Sequence, residues 1–258
     1  MASPERAMVR RQFLKGTLGA ASLVALVGCD NLSQSGWFPL ILSKAEKLTE
    51  RVQRAITPTN ALAKEYGDAD ISKVFPANGN TDPGTEEYAA HVVKNFSEWT
   101  VDVVGLVQAP MSWSLAALKE LPSRIQITRH DCVEGWSAIG KWTGVPLGDL
   151  MHQVQPLPNA KFAVFHCADV DEDGIPYYES MALADCYHPQ TILAYELNGA
   201  PLDIPHGAPI RLRFERQLGY KQAKYVIMIE LVETLSETAG GRGGYWEDDQ
   251  GYEWYAGI

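Results

Sequence analysis

One thiol in the middle of the chain stands among residues that can activate it. Cys132 follows an alternating apolar run that contains Ile125 and Ile127, and it opens a loop rich in glycine and tryptophan. Loops carried by a rigid strand are common positions for reactive side chains. Arg129 and His130 precede the thiol, and a nearby cation lowers the pKa of a thiol. We therefore expect a thiolate that binds a soft or high-valent metal.

A simpler interpretation of Cys132 stays open, in which it is a buried structural cysteine. Free cysteine is among the residue types most often buried. The carboxylates of Asp131 and Glu134 also offset the two cations beside the thiol. Glu134, two residues after the thiol, has two interpretations of its own: a group that faces the metal or handles protons, or an anchor of the loop.

Positive charge gathers in a second group of residues, towards the C-terminus. Ile210, Leu212 and Phe214 alternate with charged residues, which predicts a strand with one charged face. Guanidinium groups suit phosphate, and lysine supplies a point charge. The cluster predicts an anion site, and its alternative is a solvated strand face. The cations of this cluster are Arg211, Arg213, Arg216, Lys221 and Lys224.

The sequence around the thiol resembles the molybdenum-ligand loop of the sulfite oxidase family. The matching residues are Cys-Val-Glu-Gly-Trp-Ser at 132–137 and Trp-Thr-Gly-Val-Pro-Leu at 142–147. The resemblance runs from about residue 75 to residue 225 and is closest to the exported bacterial branch of the family. It implies an α+β fold of mixed sheets and short helices, a molybdenum–molybdopterin cofactor, and Cys132 as the metal ligand.

The same resemblance assigns further residues to the cofactor. A Phe-x-x-Asn segment, a carboxylate after a strand, and a His-Gly-x-Pro-x-Arg motif followed by a lysine occupy the family's cofactor-contacting positions. Sulfite-oxidising members carry an arginine directly before the asparagine, where this chain has Ala77. The residues implied are Asn78, Thr81, Cys132, Asp169, His206, Arg211, Gln222, Ala223 and Lys224.

The activity implied is oxygen-atom transfer on a small-molecule substrate. Because the arginine expected for sulfite is missing, we expect reduction of an S- or N-oxide, with sulfite dehydrogenase as the alternative. A non-catalytic lipoprotein binding module on the same fold is the alternative of another class. The sequence has no haem-attachment motif. We therefore expect electrons from a separate redox partner, such as a membrane or periplasmic cytochrome.

The N-terminus predicts export. Residues 10–15, Arg-Arg-Gln-Phe-Leu-Lys, form a twin-arginine motif, and an apolar run over 18–27 follows. Leu-Val-Gly-Cys at 26–29 resembles a lipobox, so residues 1–28 are read as a signal peptide and Cys29 as an acylated anchor. A plain cleaved signal or an uncleaved anchor is the alternative. Either way, we expect the folded domain in the periplasm or on the outer face of the cytoplasmic membrane.

The charge of the chain excludes one class of partner. The net charge is −10, and removing residues 1–28 removes four cations and one carboxylate, which leaves −13. Nucleic-acid binding needs clustered lysine and arginine on a basic surface, so we expect no nucleic acid.

The spacing of apolar residues predicts the helices and strands that position these side chains. The pattern over residues 29–60 predicts a linker and an amphipathic helix over 40–56. The resemblance implies that residues 61–258 form the molybdopterin-binding domain. Strands are expected over 99–107, before Cys132, over 160–165 and over 225–231, with an Asn-Gly hairpin over 192–202. Tyr177, Tyr178 and Glu179 and the tail from residue 240 are expected near the pocket. His166 is read as structural, and a Cys167–Cys186 disulfide stays open.

Overall fold

The computed structural model describes residues 38–58 and 60–258, and it divides the chain into two units, residues 1–55 and 56–258. The predicted signal peptide and Cys29 lie outside the described residues. Helix α1 (Phe38–Ile56) corresponds to the helix predicted over 40–56. None of the helices in the described part of the chain is long and apolar enough to cross a membrane.

Two five-stranded sheets form the framework of the larger unit. The first has the order β2-β1-β10-β5-β6, with β1 and β10 parallel and the other neighbours antiparallel. Its strands are β1 (Thr100–Gly105), β2 (Met111–Ser114), β5 (Phe162–Val170), β6 (Pro176–Ala182) and β10 (Val226–Val232). The second has the order β3-β4-β7-β8, and β9 also pairs with β7. Its strands are β3 (Arg124–Asp131), β4 (Ser137–Pro146), β7 (Thr191–Leu197), β8 (Ala200–Pro201) and β9 (Arg211–Phe214).

Short helices connect these strands. The side chain of Thr85 caps the first of them, and Ser114 caps the next by accepting a hydrogen bond from the Ala117 amide. Mixed sheets with short helices confirm the predicted α+β class. The helices are α2 (Glu86–Val93), α3 (Leu115–Glu120), α4 (Leu147–Val154), α5 (Leu183–Cys186) and α6 (Tyr245–Asp249).

The main hydrophobic core draws on both sheets. Val101 of β1 and Phe165 of β5 belong to the same buried cluster as Leu193 of β7 and Leu212 of β9. A smaller cluster around Trp142 packs against Phe75. The apolar faces of the two sheets are thereby removed from water, which is the main favourable contribution to folding.

Several predicted elements are present where the sequence placed them. The Asn198-Gly199 turn joins β7 to β8 with positive φ at both residues, 55° and 80°, which suits a two-residue hairpin. Strand β5 continues past its predicted end, so that His166 and Asp169 lie within it. Cys167 and Cys186 are free, buried thiols.

The faces of two strands differ from the predicted pattern. In β3 the apolar Ile125 is 58% exposed, whereas the polar Gln126 and His130 are buried. All of β9 is buried, and Arg213 is fully inaccessible. The alternative in which β9 presents a solvated charged face is therefore wrong.

Candidate active site

A cavity of about 500 Å³ opens at Cys132. Of the residues assigned from the sequence, Asn78, Cys132, Glu134, Asp169, Arg211, Gln222 and Lys224 line it, and Thr81, His206 and Ala223 do not. The remaining lining residues are Gly79, Asn80, Val133, Val170, Asp171, Glu172, Tyr177, Gly219, Tyr220, Tyr245, Trp246 and Tyr252.

Cys132 lies in the connection between β3 and β4. Its amide donates to Trp136 O at 2.9 Å, and its carbonyl accepts from the Gly135 amide at 3.0 Å. Gly135 has a φ of 89°, a conformation that favours glycine. Trp136 Nε1 in turn donates to Glu134 Oε2 at 2.9 Å, so Glu134 braces the loop while it also lines the cavity.

The residues before Cys132 do not activate it in the way that the sequence predicted. Arg129 is exposed and pairs with Asp131, and His130 is buried, which holds its pKa well below the usual value and leaves the imidazole neutral. Burial raises the pKa of the Cys132 thiol. The prediction that these two cations lower the pKa of the thiol is therefore wrong. A thiol that coordinates a metal ion loses its proton to the charge of the metal.

A loop over residues 75–81 faces Cys132 across the cavity wall. Asn78 Nδ2 donates to Cys132 Sγ at 3.4 Å. Lys224 Nζ holds the loop from the other side, because it donates to Asn78 O at 2.8 Å, to Pro205 O at 3.1 Å and to Asn80 O. These contacts use all three N–H groups of a lysine ammonium. Lys224 therefore positions the loop, and its charge lies beside the cavity.

His206 supports the same loop from behind. Its Nε2 lies 3.0 Å from Phe75 O, so the tautomer with a proton on Nε2 donates to that carbonyl. Phe75 packs edge-on against Trp142, with 5.2 Å between the ring centroids. Thr81 is exposed, and Ala223 is buried in the main core. We conclude that His206 orders the loop without reaching the cavity.

Most of the predicted basic cluster is neutralised within the protein. Arg213 forms a two-pronged pair with Glu215, with 2.7 Å between Nη2 and Oε2. Arg216 lies 3.8 Å from a carboxylate oxygen of Asp185. Lys221 is buried between the two carboxylates of Glu179 and Glu247. None of these three cations lines the cavity.

Arg211 and Lys224 differ, since neither has a carboxylate within ion-pair distance among the described residues. Arg211 donates to His206 O at 3.0 Å and to Gln222 O at 3.3 Å. Burial, followed by repulsion from Arg213, lowers the pKa of Arg211 to about 9. Burial, followed by repulsion from Arg211, lowers the pKa of Lys224 to about 7. A buried and a half-buried cation without an anion are costly, so this side of the cavity is suited to a negatively charged group.

Buried polar atoms around the cavity test whether a molybdopterin fits. Within the described residues, Arg211 Nε, Gln222 Oε1 and Asp169 Oδ1 have no hydrogen-bond partner. Buried polar atoms are nearly always paired, so three unpaired polar atoms on residues that line the cavity favour a bound polar ligand there. A guanidinium suits a phosphate, and amide and carboxylate oxygens suit the N–H edge of a heterocycle. With the thiol of Cys132, the residues present fit a phosphate-bearing pterin that holds a metal.

The structure adds residues that sequence reasoning did not assign to the site. Asp171 and Glu172 follow β5, and Tyr220 follows β9; all three line the cavity. Tyr177 also lines it, as expected, whereas Tyr178 and Glu179 are buried behind it. In the sequence, Asp171 and Glu172 were marked only by a carboxylate-rich turn, and Tyr220 only by the high content of aromatic residues. Neither feature indicates where a side chain points.

Comparisons with known proteins agree with this site. The model of the oxidoreductase molybdopterin binding domain matches residues 89–239, which is more than half of the chain. A putative protein-methionine-sulfoxide reductase subunit, YedZ1, of Azospira oryzae is 36% identical over 248 residues, covering 96% of this chain and 87% of the relative. The protein-methionine-sulfoxide reductase catalytic subunit MsrP of Xanthomonas axonopodis pv. citri is 38% identical over 184 residues.

The alignments cover different shares of the two relatives. The alignment with MsrP covers 67% of this chain and only 55% of the relative. Among solved structures, the sulfane dehydrogenase SoxCD of Paracoccus pantotrophus is 19% identical, with a TM-score of 0.48, over 58% of this chain and 45% of that chain. The domain match and the YedZ1 relative show that the chain belongs to the oxidoreductases with a molybdopterin-binding domain, whose cofactor is molybdenum–molybdopterin.

Proposed function

We propose that this protein is an exported oxygen-atom-transfer enzyme that reduces a neutral S-oxide to the corresponding sulfide. Bound molybdenum–molybdopterin supplies two-electron oxygen-atom transfer. The net reaction takes up two electrons and two protons, breaks the S–O bond and releases water. The names of the relatives, both methionine sulfoxide reductase subunits, support this direction.

The charge of the cavity is the observation that carries the proposal. Four carboxylates line it, and Arg211 and Lys224 are the only lysine or arginine residues among its described lining residues. A cofactor phosphate neutralises these cations and leaves an acidic cavity. A hydrogen bond from Tyr245 lowers the pKa of Asp171, which keeps that carboxylate charged at neutral pH. Like charge repels sulfite but not an uncharged sulfoxide. The carboxylates are those of Glu134, Asp169, Asp171 and Glu172.

The chain's own residues have distinct roles in this proposal. Cys132 holds the metal, and the hydrogen bond from Asn78 orients and tunes its sulfur. Arg211 binds the cofactor phosphate, while Gln222 accepts from the pterin edge. Glu134 is exposed and lines the cavity, so it can pass protons from solvent to the reacting oxygen.

Electron supply and location belong to the same proposal. We infer a separate redox partner, a membrane or periplasmic cytochrome, because the sequence lacks a haem-attachment motif and the relative YedZ1 is named as a subunit. The twin-arginine motif and lipobox support export by the twin-arginine route and anchoring to the membrane through acylated Cys29. Twin-arginine export carries folded proteins, which suits a domain that acquires its cofactor before export.

A cysteine comparison tests the assignment of the metal ligand. Cys132→Ala is expected to abolish sulfoxide reduction while the thermal midpoint stays close to that of the wild type, since Cys132 lies on a loop at the cavity. Cys186→Ala is the matched control, because Cys186 is also a buried free thiol but does not line the cavity. Wild-type turnover in Cys132→Ala would refute the assignment. A wild-type protein purified without molybdenum would favour the non-catalytic binding module.

A further inference from the structure

Five aromatic rings line the cavity and contact one another in an unbroken series. Tyr177 lies 5.6 Å from Tyr245, Tyr245 lies 5.2 Å from Trp246, and Trp246 stacks on Tyr252 at 5.8 Å between ring centroids. Tyr252 meets Tyr220 at 5.1 Å. All five belong to the lining of the same cavity as Cys132. We call Tyr177, Tyr220, Tyr245, Trp246 and Tyr252 the aromatic wall.

Three hydroxyl groups of the aromatic wall already donate hydrogen bonds to other protein atoms. Tyr177 Oη donates to Tyr220 O at 2.7 Å, and Tyr220 Oη donates to Glu253 O at 2.5 Å. Tyr245 Oη donates to Asp171 Oδ2 at 2.7 Å. The polar atoms without partners that suit the cofactor come from other residues, Arg211 and Gln222 among them. The wall is therefore suited to an apolar group or a sulfur atom.

Three of the five rings come from the C-terminal segment, residues 240–258. The match to the molybdopterin-binding domain ends at residue 239, so this segment lies outside the part of the chain that resembles that domain. The cavity is therefore lined in part by residues from outside the matched domain.

A buried ion cluster holds the C-terminal segment in place. Glu247 of α6 accepts from Lys221 Nζ at 2.6 Å, and Glu179 of β6 accepts from the same ammonium. Tyr178 donates to Asp248, and Gly244 bridges to the backbone of Glu179. These contacts fix the rings on a framework, as a binding subsite requires.

We propose that Tyr245, Trp246 and Tyr252 form the substrate subsite, which receives the carbon substituents and sulfur of an organic sulfoxide. This inference rests on the proposed function and adds the substrate class: sulfoxides with an apolar or aromatic substituent, in preference to small inorganic oxyanions. Sulfur contacts with aromatic rings and the burial of apolar surface both stabilise such a complex. Loss of the indole is expected to weaken binding about tenfold.

Holoenzyme variants at Trp246 test the subsite. Trp246→Ala is expected to raise the KM for methyl phenyl sulfoxide about tenfold with little change in kcat. It should weaken the binding of methyl phenyl sulfone, measured by calorimetry, by a similar factor. Trp246→Phe should recover most of the affinity. Tyr187→Ala, at a partly exposed aromatic residue that does not line the cavity, is the matched control and should behave as the wild type.

Pterin and molybdenum content per protein are measured in every variant. Unchanged KM and sulfone affinity in Trp246→Ala would overturn the subsite. Loss of pterin in that variant would also overturn it, since the ring would then contact the cofactor. A wild-type holoenzyme that binds the sulfone but reduces no sulfoxide would overturn the proposed function and leave the subsite standing.

Discussion

Arg211 is a buried cation at the cavity whose charge no described carboxylate neutralises. Its guanidinium is buried, its Nε has no partner within the described residues, and its fixed contacts are two backbone carbonyls. Arg213, two residues along the same strand, is satisfied by Glu215. Strand alternation places both arginines on one face, so the sequence alone cannot tell which of them is available.

Arg211→Ala is expected to lower molybdopterin occupancy. A hydrogen bond to a charged group contributes roughly 1.5–3 kcal/mol, so losing it should weaken cofactor binding by about ten- to a hundredfold. Pterin content per protein is the measurement. Lys161→Ala is the control, because Lys161 is exposed and pairs with Glu233 on the surface. Full pterin occupancy in Arg211→Ala would contradict the assignment of Arg211 to the cofactor phosphate.

Asp169 predicts a pH dependence of stability. Burial raises its pKa from 3.8 to about 6, so the folded cofactor-free protein binds more protons than the unfolded chain between these values. Its unfolding free energy should therefore fall by roughly 2 kcal/mol as the pH rises from about 4 to about 7. Denaturant unfolding of wild type and Asp169→Asn at both pH values isolates this contribution. An equal pH dependence in the two proteins would contradict the burial of a partly unpaired carboxyl.

For single residues, the sequence predicted which residue types take part in the site better than it predicted what their side chains contact. Cys132, Arg211 and Lys224 were predicted as site residues from motifs that specify residue identity and spacing, and all three line the cavity. The contacts that Lys224 donates to the backbone carbonyls of Asn78 and Asn80 were not predictable, since these residues lie more than 140 positions away. Trp246 was not predicted individually, because the sequence does not show which distant residues line the same cavity.

At the scale of elements, periodicity predicted the strands but not all of their faces. The alternation of Ile125 and Ile127 suggested an apolar inner face for β3. Instead Gln126 faces inward, where its Nε2 donates to Glu215 Oε1 at 2.8 Å. The partner comes from 89 positions later in the chain. Polar residues are buried there because a distant strand end satisfies them, and a local pattern carries no record of such pairing.

The ion cluster of Lys221, Glu179 and Glu247 joins β6 to α6. Burial raises the pKa of Glu179 well above its usual value, although Lys221 acts in the opposite direction. Lys221→Met removes the only cation that either carboxylate contacts among the described ion pairs. Breaking a buried pair in this way costs about 3–5 kcal/mol, and we expect that loss in the unfolding free energy.

Lys161→Met is the matched control for Lys221→Met. Lys161 and Glu233 form an exposed ion pair, which typically contributes about 0–1 kcal/mol. Limited proteolysis should also detach the C-terminal segment faster in Lys221→Met than in Lys161→Met. Equal stability and equal cleavage of the two variants would show that the ion cluster does not hold the segment.

For the whole molecule, the sequence predicts export and attachment to a membrane. Replacing both Arg10 and Arg11 with lysine is expected to keep the protein in the cytoplasm, because the twin-arginine route reads that pair. Cys29→Ala should prevent lipid labelling while leaving the arginine pair intact. Cell fractionation and labelling distinguish the two steps. Periplasmic activity in the double lysine variant would exclude the twin-arginine route.

The acidic, aromatic-lined cavity beside Cys132 is the proposed site of neutral-sulfoxide reduction. The most direct test of this proposal is kcat/KM of the molybdenum-loaded enzyme for methyl phenyl sulfoxide reduction, compared with kcat/KM for sulfite oxidation by the same preparation. We expect measurable sulfoxide reduction, and sulfite oxidation with a kcat/KM lower by at least about a hundredfold, since like charge costs an anion several kcal/mol. Sulfite oxidised more efficiently than the sulfoxide is reduced would contradict it.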